Sequence, residues 1–188
     1  TMWSTLKNVI EYPKIKKRCY LVQNYETDFY QIGDPLRRKA NETYAVVSSI
    51  NYLTISKWCQ NWLKKEFGQD CKYVPNGIEY NQFYNNHNER KFDRKKKIRI
   101  LIEGDCGSYY KNVDESFKII NELDKDKYEI WYMSYNAEPK EWYRVDRFLH
   151  KIPYEKVAEV YQECDILLKT SILESFSYPP LEMMATGG

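Results

Sequence analysis

Short apolar runs alternate with helical spacings along most of this chain. The segment Arg18 to Tyr25 contains Cys-Tyr-Leu-Val-Gln, a run suited to a buried strand, and Tyr52-Leu53-Thr54-Ile55 is a second. Ser56 then caps a helix whose Trp58, Trp62, Leu63 and Phe67 share one face, and Gly68 supplies the stop. Lys72-Tyr73-Val74 predicts a third strand before the punctuating Pro75-Asn76-Gly77. Strand, helix, strand is the grammar of a parallel sheet, because parallel neighbours need a crossover where antiparallel ones need only a tight turn. A further helix, from Trp3 to Ile10, opens the chain.

Between Asn81 and Lys97 the periodicity disappears, and then the pattern restarts. Ile98, Ile100, Leu101 and Ile102 predict a strand followed by a polar loop at Glu103-Gly104-Asp105. Asn112 with Glu115 fits a capping box, and Val113, Phe117, Ile120 and Leu123 mark the helix face behind it. Tyr128 to Met133 predicts another strand. Val157, Val160, Tyr161 and Cys164 predict a helix that runs into the short strand Asp165 to Leu168. The expectation is an α/β chain with two Rossmann-like parallel-sheet domains, over residues 1–84 and 98–188, joined by a linker at 85–97. The helical start and the Gly187-Gly188 finish fall where an α/β unit normally continues, so both domains are expected to be incomplete and the chain a fragment.

Composition narrows the function. The 188 residues are 43% hydrophobic and 30% charged, enough apolar material for packed cores. Lysine plus arginine is 29 against 27 acidic residues, which argues against a dedicated nucleic-acid binder with its concentrated basic face. No apolar run approaches the ~18 residues that span a bilayer, and no signal peptide is evident, so a cytoplasmic protein is expected. The basic run Arg90 to Lys97 has two readings: attraction to anionic headgroups at the inner face of the membrane, or a solvated linker. The linker reading is preferred, because nothing apolar accompanies the charges. Five cysteines form no Cys-x-x-Cys pair, and only His87 and His150 stand beside them, so free thiols and no metal are expected. Eighteen tyrosines suit either sugar stacking or a core, and composition does not choose between them.

The stretch Thr170 to Gly187 carries the chemistry. It follows a buried strand, so Glu174 lies in the loop beyond that strand's carboxyl end, where open α/β sheets bind ligands. Pro179 and Pro180 suit a helix start, which leaves the amides of Phe176, Ser177 and Tyr178 to face an anion, helped by the helix dipole. Glu182, read as lying in the first turn, either accepts hydrogen bonds from a ribose diol or merely complements that dipole. Glu174 either does the same for a hexose or is an ordinary solvated carboxylate.

Taken together, Glu174 and Glu182, with Ser175-Phe176-Ser177 between them and Met184-Ala185-Thr186-Gly187 behind, resemble the signature of retaining glycosyltransferases of family four, which have the GT-B fold. Ser175 and Ser177 stand where the family has glycines. Val74-Pro75-Asn76-Gly77-Ile78-Glu79 is similar to the segment that ends the family's acceptor domain. Lys111 stands where the family has a lysine gripping the donor diphosphate. Asp105, near Gly104, replaces the arginine usually paired with that lysine; an aspartate repels phosphate, so it is expected to turn away or to hold a sugar hydroxyl. Tyr20 to Glu26 and Lys111 to Ser116 are most like bacterial rhamnosyltransferase-type members.

The resemblance implies a retaining hexosyltransferase that needs no metal or cofactor. Its donor is a nucleotide sugar, with thymidine-linked rhamnose (dTDP-rhamnose) favoured, and its acceptor a polysaccharide or lipid-linked glycan. Glu174 is then the catalytic position, orienting the donor sugar, while Glu182, Lys111, Gly104, Ser175, Phe176, Ser177 and Tyr178 bind the donor. His150 is either a structural residue or a contact at the donor's edge. The alternative is a non-catalytic nucleotide-sugar or carbohydrate-binding module on the same fold, a reading favoured by Ser175, Ser177 and Asp105. A dinucleotide oxidoreductase is disfavoured, since Gly104-Asp105-Cys106-Gly107 is not a Gly-x-Gly-x-x-Gly turn.

Overall fold

The computed structural model describes residues 2–46, 50–85 and 96–188. His87, most of the basic run and the middle of the expected linker lie outside the described residues. Two compact units are formed: Thr1–Gly77 with Glu174–Phe176, and Ile78–Leu173 with Ser177–Gly188.

In the first unit, β1 (Arg18–Val22), β2 (Ile50–Thr54) and β3 (Cys71–Tyr73) make a parallel sheet in that order, with Tyr20 opposite Tyr52 and Tyr52 opposite Cys71. Its helices are α1 (Leu6–Glu11), α2 (Pro35–Glu42) and α3 (Lys57–Phe67). The expected cap of α3 is present: Ser56 Oγ accepts from the Cys59 amide at 3.1 Å, and Gly68 closes the helix in the left-handed conformation. Trp58 departs from expectation. The buried face runs through Cys59 and Leu63, one residue further round the helix, so Trp58 is left half exposed and stacked on Trp62. Helix α2 escapes the periodicity because five of its eight residues are polar and it buries only Ala40, although Asp34 caps it and Pro35 opens it.

The first core is aromatic. Tyr20, Tyr44 and Tyr52 are buried and pack with Trp62 and Phe67. Each phenol finds a polar partner: Tyr52 donates to the carbonyls of Thr43 and Val46, and Tyr44 accepts from the Glu26 amide at 3.0 Å. Burial pushes all three phenols above the usual tyrosine range, Tyr52 to about 12.

The second unit holds β4 (Ile98–Glu103), β5 (Tyr128–Ser134), β6 (Arg147–His150) and β7 (Ile166–Leu168), all parallel, in the order β6-β5-β4-β7. The helices α4 (Val113–Asn121), α5 (Tyr154–Glu163) and α6 (Tyr178–Ala185) complete it. Strand β4 is buried on both faces, as a parallel strand between helical layers must be. Ile100 and Ile102 pack with Phe117, Ile120 and Tyr132 on one side, and Leu101 packs with Phe83, Trp131, Tyr161 and Met183 on the other. The chain is therefore α/β, with two parallel sheets flanked by helices in Rossmann-like arrangement.

Two local expectations need correction, and one strand is additional to those expected. The Asn112–Glu115 capping box does not form, because Asn112 adopts a left-handed backbone (φ 50°) and spends its amide on the Thr170 carbonyl, while Glu115 reaches Lys118. Strand β6 was not foreseen; Arg-Phe-Leu-His is too short and mixed for its pattern to register. Helix α6 begins at Tyr178, before the two prolines, so Glu182 is its fifth residue and lies beyond the first turn.

Phe117 stacks on Tyr143 with 3.8 Å between centroids and meets Tyr132 edge-on, with no exposure of its own. Phe117→Ala is expected to lower the stability of the second unit by about 3–5 kcal/mol. Urea unfolding followed by amide exchange within β4 and β5 checks this.

Candidate functional site

Four parallel strands bring their carboxyl ends to one edge of the second sheet. The chain proceeds from β4 to β5 and β6 on one side, while β7 lies on the other, so the topological switch falls between β4 and β7. A crevice opens at such a point because the two connections leave in opposite directions.

Gly104 follows β4 directly. Its φ of +143° is a conformation that side chains rarely adopt, and a Cβ there would meet Val113 Cγ2 at 3.2 Å. The Gly104 amide donates to the Met133 carbonyl, and its own carbonyl accepts from the Tyr132 phenol at 2.9 Å. Lys111 ends the single 3-10 turn Tyr109–Lys111, its Cβ 3.6 Å from the place a Gly104 Cβ would take. Next to it, Asn112 and Thr170 bond reciprocally: Asn112 Nδ2 donates to the Thr170 carbonyl at 3.1 Å, and Thr170 Oγ1 donates to the Asn112 carbonyl at 2.7 Å. The Ile172 amide donates to the Tyr110 carbonyl at 2.9 Å. The loop after β4 is thus stitched to the loop after β7. Asp105 turns into its own loop, accepting from the Gly107 amide and the Ser108 hydroxyl.

Glu182 reaches the same edge from one turn inside α6 and is only 4% exposed. The Tyr154 phenol donates to Glu182 Oε1 at 3.3 Å. Burial is the main reason that the Glu182 carboxyl lies above the usual carboxylate range. The charge of Glu103 adds to this, while hydrogen bonds from Tyr154 and Tyr161 act the other way. Dipole complementation does not account for a carboxylate so placed. One position beyond the Ile102–Leu168 pairing, Lys169 Nζ meets Glu103 Oε2 at 2.8 Å, with the lysine side chain 8% exposed. Sequence reasoning missed Glu103, Lys169, Tyr154 and Tyr161. The signal available was a pair of opposite charges, each closing an apolar run.

The remaining candidates are placed as follows. Ser177 precedes α6 and its Oγ, buried, has no hydrogen-bond partner among the described residues; Tyr178 is partly exposed. Because Pro179 and Pro180 lack an N–H, Tyr178 contributes the one N–H of the first three helical positions. Glu174, Ser175 and Phe176 are half-buried and belong to the first unit, where the Ser175 hydroxyl donates to the Gln23 carbonyl. Gly104, Lys111, Ser177, Tyr178 and Glu182 thus belong to the second unit and Glu174 to the first; of these, Lys111 lies beside Gly104. His150 ends β6 with its ring on Phe148 and a buried Nε2 that has no hydrogen-bond partner among the described residues. Among the described residues the five cysteines form no disulfide. Among the described residues no three His, Cys, Asp or Glu side chains are set to hold a metal ion, and no helix is long and apolar enough to cross a membrane.

No protein-family model matches the chain. It is similar to the O-antigen biosynthesis protein RfbC of Myxococcus xanthus, with 24% identity over 193 residues, covering 100% of this chain and 14% of that protein. The chain thus spans a small part of the length of the curated relative it matches.

The raised carboxyl of Glu182 makes stability depend on pH in a defined sense. Its burial costs nothing at acid pH, where the group is protonated in both folded and unfolded chains. The cost grows as pH rises through the raised value and is full near neutrality. Glu182→Gln is expected to stabilise the protein near neutral pH, the gain vanishing below the ordinary carboxylate range. Thermal melts of both proteins across that range check it; a gain independent of pH would contradict it.

Proposed function

We propose that this chain forms part of a retaining GT-B hexosyltransferase of family four. In this reading it moves a sugar, with dTDP-rhamnose the favoured donor, onto a growing bacterial polysaccharide or lipid-linked glycan. Residues 1–84 then contribute to the acceptor domain, 85–97 to the linker and 98–188 to the donor domain, working on the cytoplasmic side of the membrane with the basic run as a peripheral contact.

The observation that supports the reading is the carboxyl edge of the second sheet, where Gly104 follows β4 with Lys111 beside it and the buried Glu182 feels the charge of Glu103, the last residue of β4. A carboxylate accepts from both hydroxyls of a ribose diol, and such a diol replaces the phenol hydrogen bonds that Glu182 now receives. Gly104 lets the backbone approach a diphosphate, and Lys111 and the start of α6 place positive charge where the leaving group develops negative charge. Glu174 orients the sugar; no bond-forming role is assigned to it. The printed name of the Myxococcus protein, an O-antigen biosynthesis protein, is in keeping with polysaccharide assembly.

Calorimetric titration of the chain with dTDP, dTDP-rhamnose, dTDP-glucose and UDP-glucose tests the donor site. At least one of these is expected to bind, and Lys111→Ala is expected to weaken it by about tenfold, or 1.4 kcal/mol. A folded sample that takes up none of them overturns the reading. In the full-length protein, turnover is expected to disappear in Glu174→Ala; binding without any turnover in the unmodified protein would instead make this a binding module.

A further inference from the structure

We propose that Lys169 is a second diphosphate-binding cation of this crevice, oriented by Glu103; the proposal rests on the donor-site reading above. Three observations carry it, all within the second unit.

The first is position. Lys169 follows β7 at its carboxyl end, beside the strand that Gly104 follows. Asn112 and Thr170 are joined by two hydrogen bonds, and Lys111 and Lys169 are their immediate chain neighbours. The stitch that fixes one lysine at the edge fixes the other.

The second is cost. A lysine with 8% of its side chain exposed, paired to a carboxylate with 25%, has lost most of its hydration. Such pairs are commonly no more stable than apolar residues of the same volume, so stability alone does not explain one here. The pair stands at the strand ends where open sheets bind ligands, and a second buried carboxylate, Glu182, feels the charge of Glu103.

The third is charge balance. A nucleoside diphosphate sugar carries about two negative charges on its phosphates, and the diphosphate released carries more. The proline pair leaves the start of α6 short of donors, and the Asp105 carboxylate is turned into its own loop. Lys111 brings one positive charge to this edge, and Lys169 adds a second ammonium as a hydrogen-bond donor, which Glu103 holds in place before the ligand arrives, as preorganised sites require.

The test compares dTDP with thymidine, and UDP with uridine, as calorimetric ligands of the whole chain. Lys169→Met combined with Glu103→Gln leaves the net charge of the pair unchanged and strands no buried ion. It is expected to weaken the diphosphate by tenfold or more while leaving the nucleoside within about twofold, and to flatten the dependence of diphosphate affinity on salt. Lys169→Arg keeps the charge and is expected to hold diphosphate affinity within about threefold. If the double variant melts as an unfolded chain, Lys169→Gln replaces it with the same expectation. Wild-type diphosphate affinity in the charge-free variant overturns the proposal, and so does an equal loss for diphosphate and nucleoside, which marks a structural role. If the unmodified chain binds neither diphosphate, the donor-site reading fails first and this proposal falls with it.

Discussion

The reciprocal hydrogen bonds between Asn112 and Thr170 are the constraint on which the second unit's crevice depends. They join residues 58 positions apart in sequence, and they close the angle between two loops that leave neighbouring strands in opposite directions. Thr170 Oγ1 also lies 2.8 Å from the buried Ser116 hydroxyl, so the junction is anchored to α4 as well. Asn112 is held in a left-handed backbone to reach its partner, a conformation that asparagine tolerates better than most residues. Lys111 and Lys169 flank that junction along the chain, and Gly104 lies beside Lys111.

Electrostatics then sets the character of the edge. Glu103 and Glu182 are two carboxylates with little exposure to water, and the charge of Glu103 makes that of Glu182 costlier. Lys169 offsets one of them, and phenols from Tyr154 and Tyr161 hydrogen-bond the other. The result is a polar cluster of low exposure, bonded through Tyr161 to a residue of the hydrophobic core. The aromatic richness of the chain has a plainer explanation. Tyr20, Tyr44, Tyr52, Tyr132, Tyr143 and Tyr161 are all buried. Each contributes ring area to a core while its hydroxyl tip finds a partner, as burial of a phenol requires.

Helix α3 shows what sequence reading does well, since Ser56, the spacing of apolar residues and Gly68 act within a few residues of one another. Strands β4 and β5 were equally legible, because a strand buried on both faces must be apolar throughout. Helix α2 and strand β6 were not legible as elements. The first is a polar surface helix that declares itself only through Asp34-Pro35, and the second owes its pairing to β5 rather than to its own composition.

By itself, then, the sequence determined the α/β class and the parallel grammar of strand, helix and strand, because those properties rest on local spacing. The tertiary structure decided which side chains meet near the strand ends. It buried Glu182 beneath two phenols, paired Glu103 with Lys169 across adjacent strands, turned Asp105 into its own loop and placed Glu174 with the first unit. Those outcomes follow from sheet order, and strand neighbours far apart in sequence leave no periodic trace along the chain.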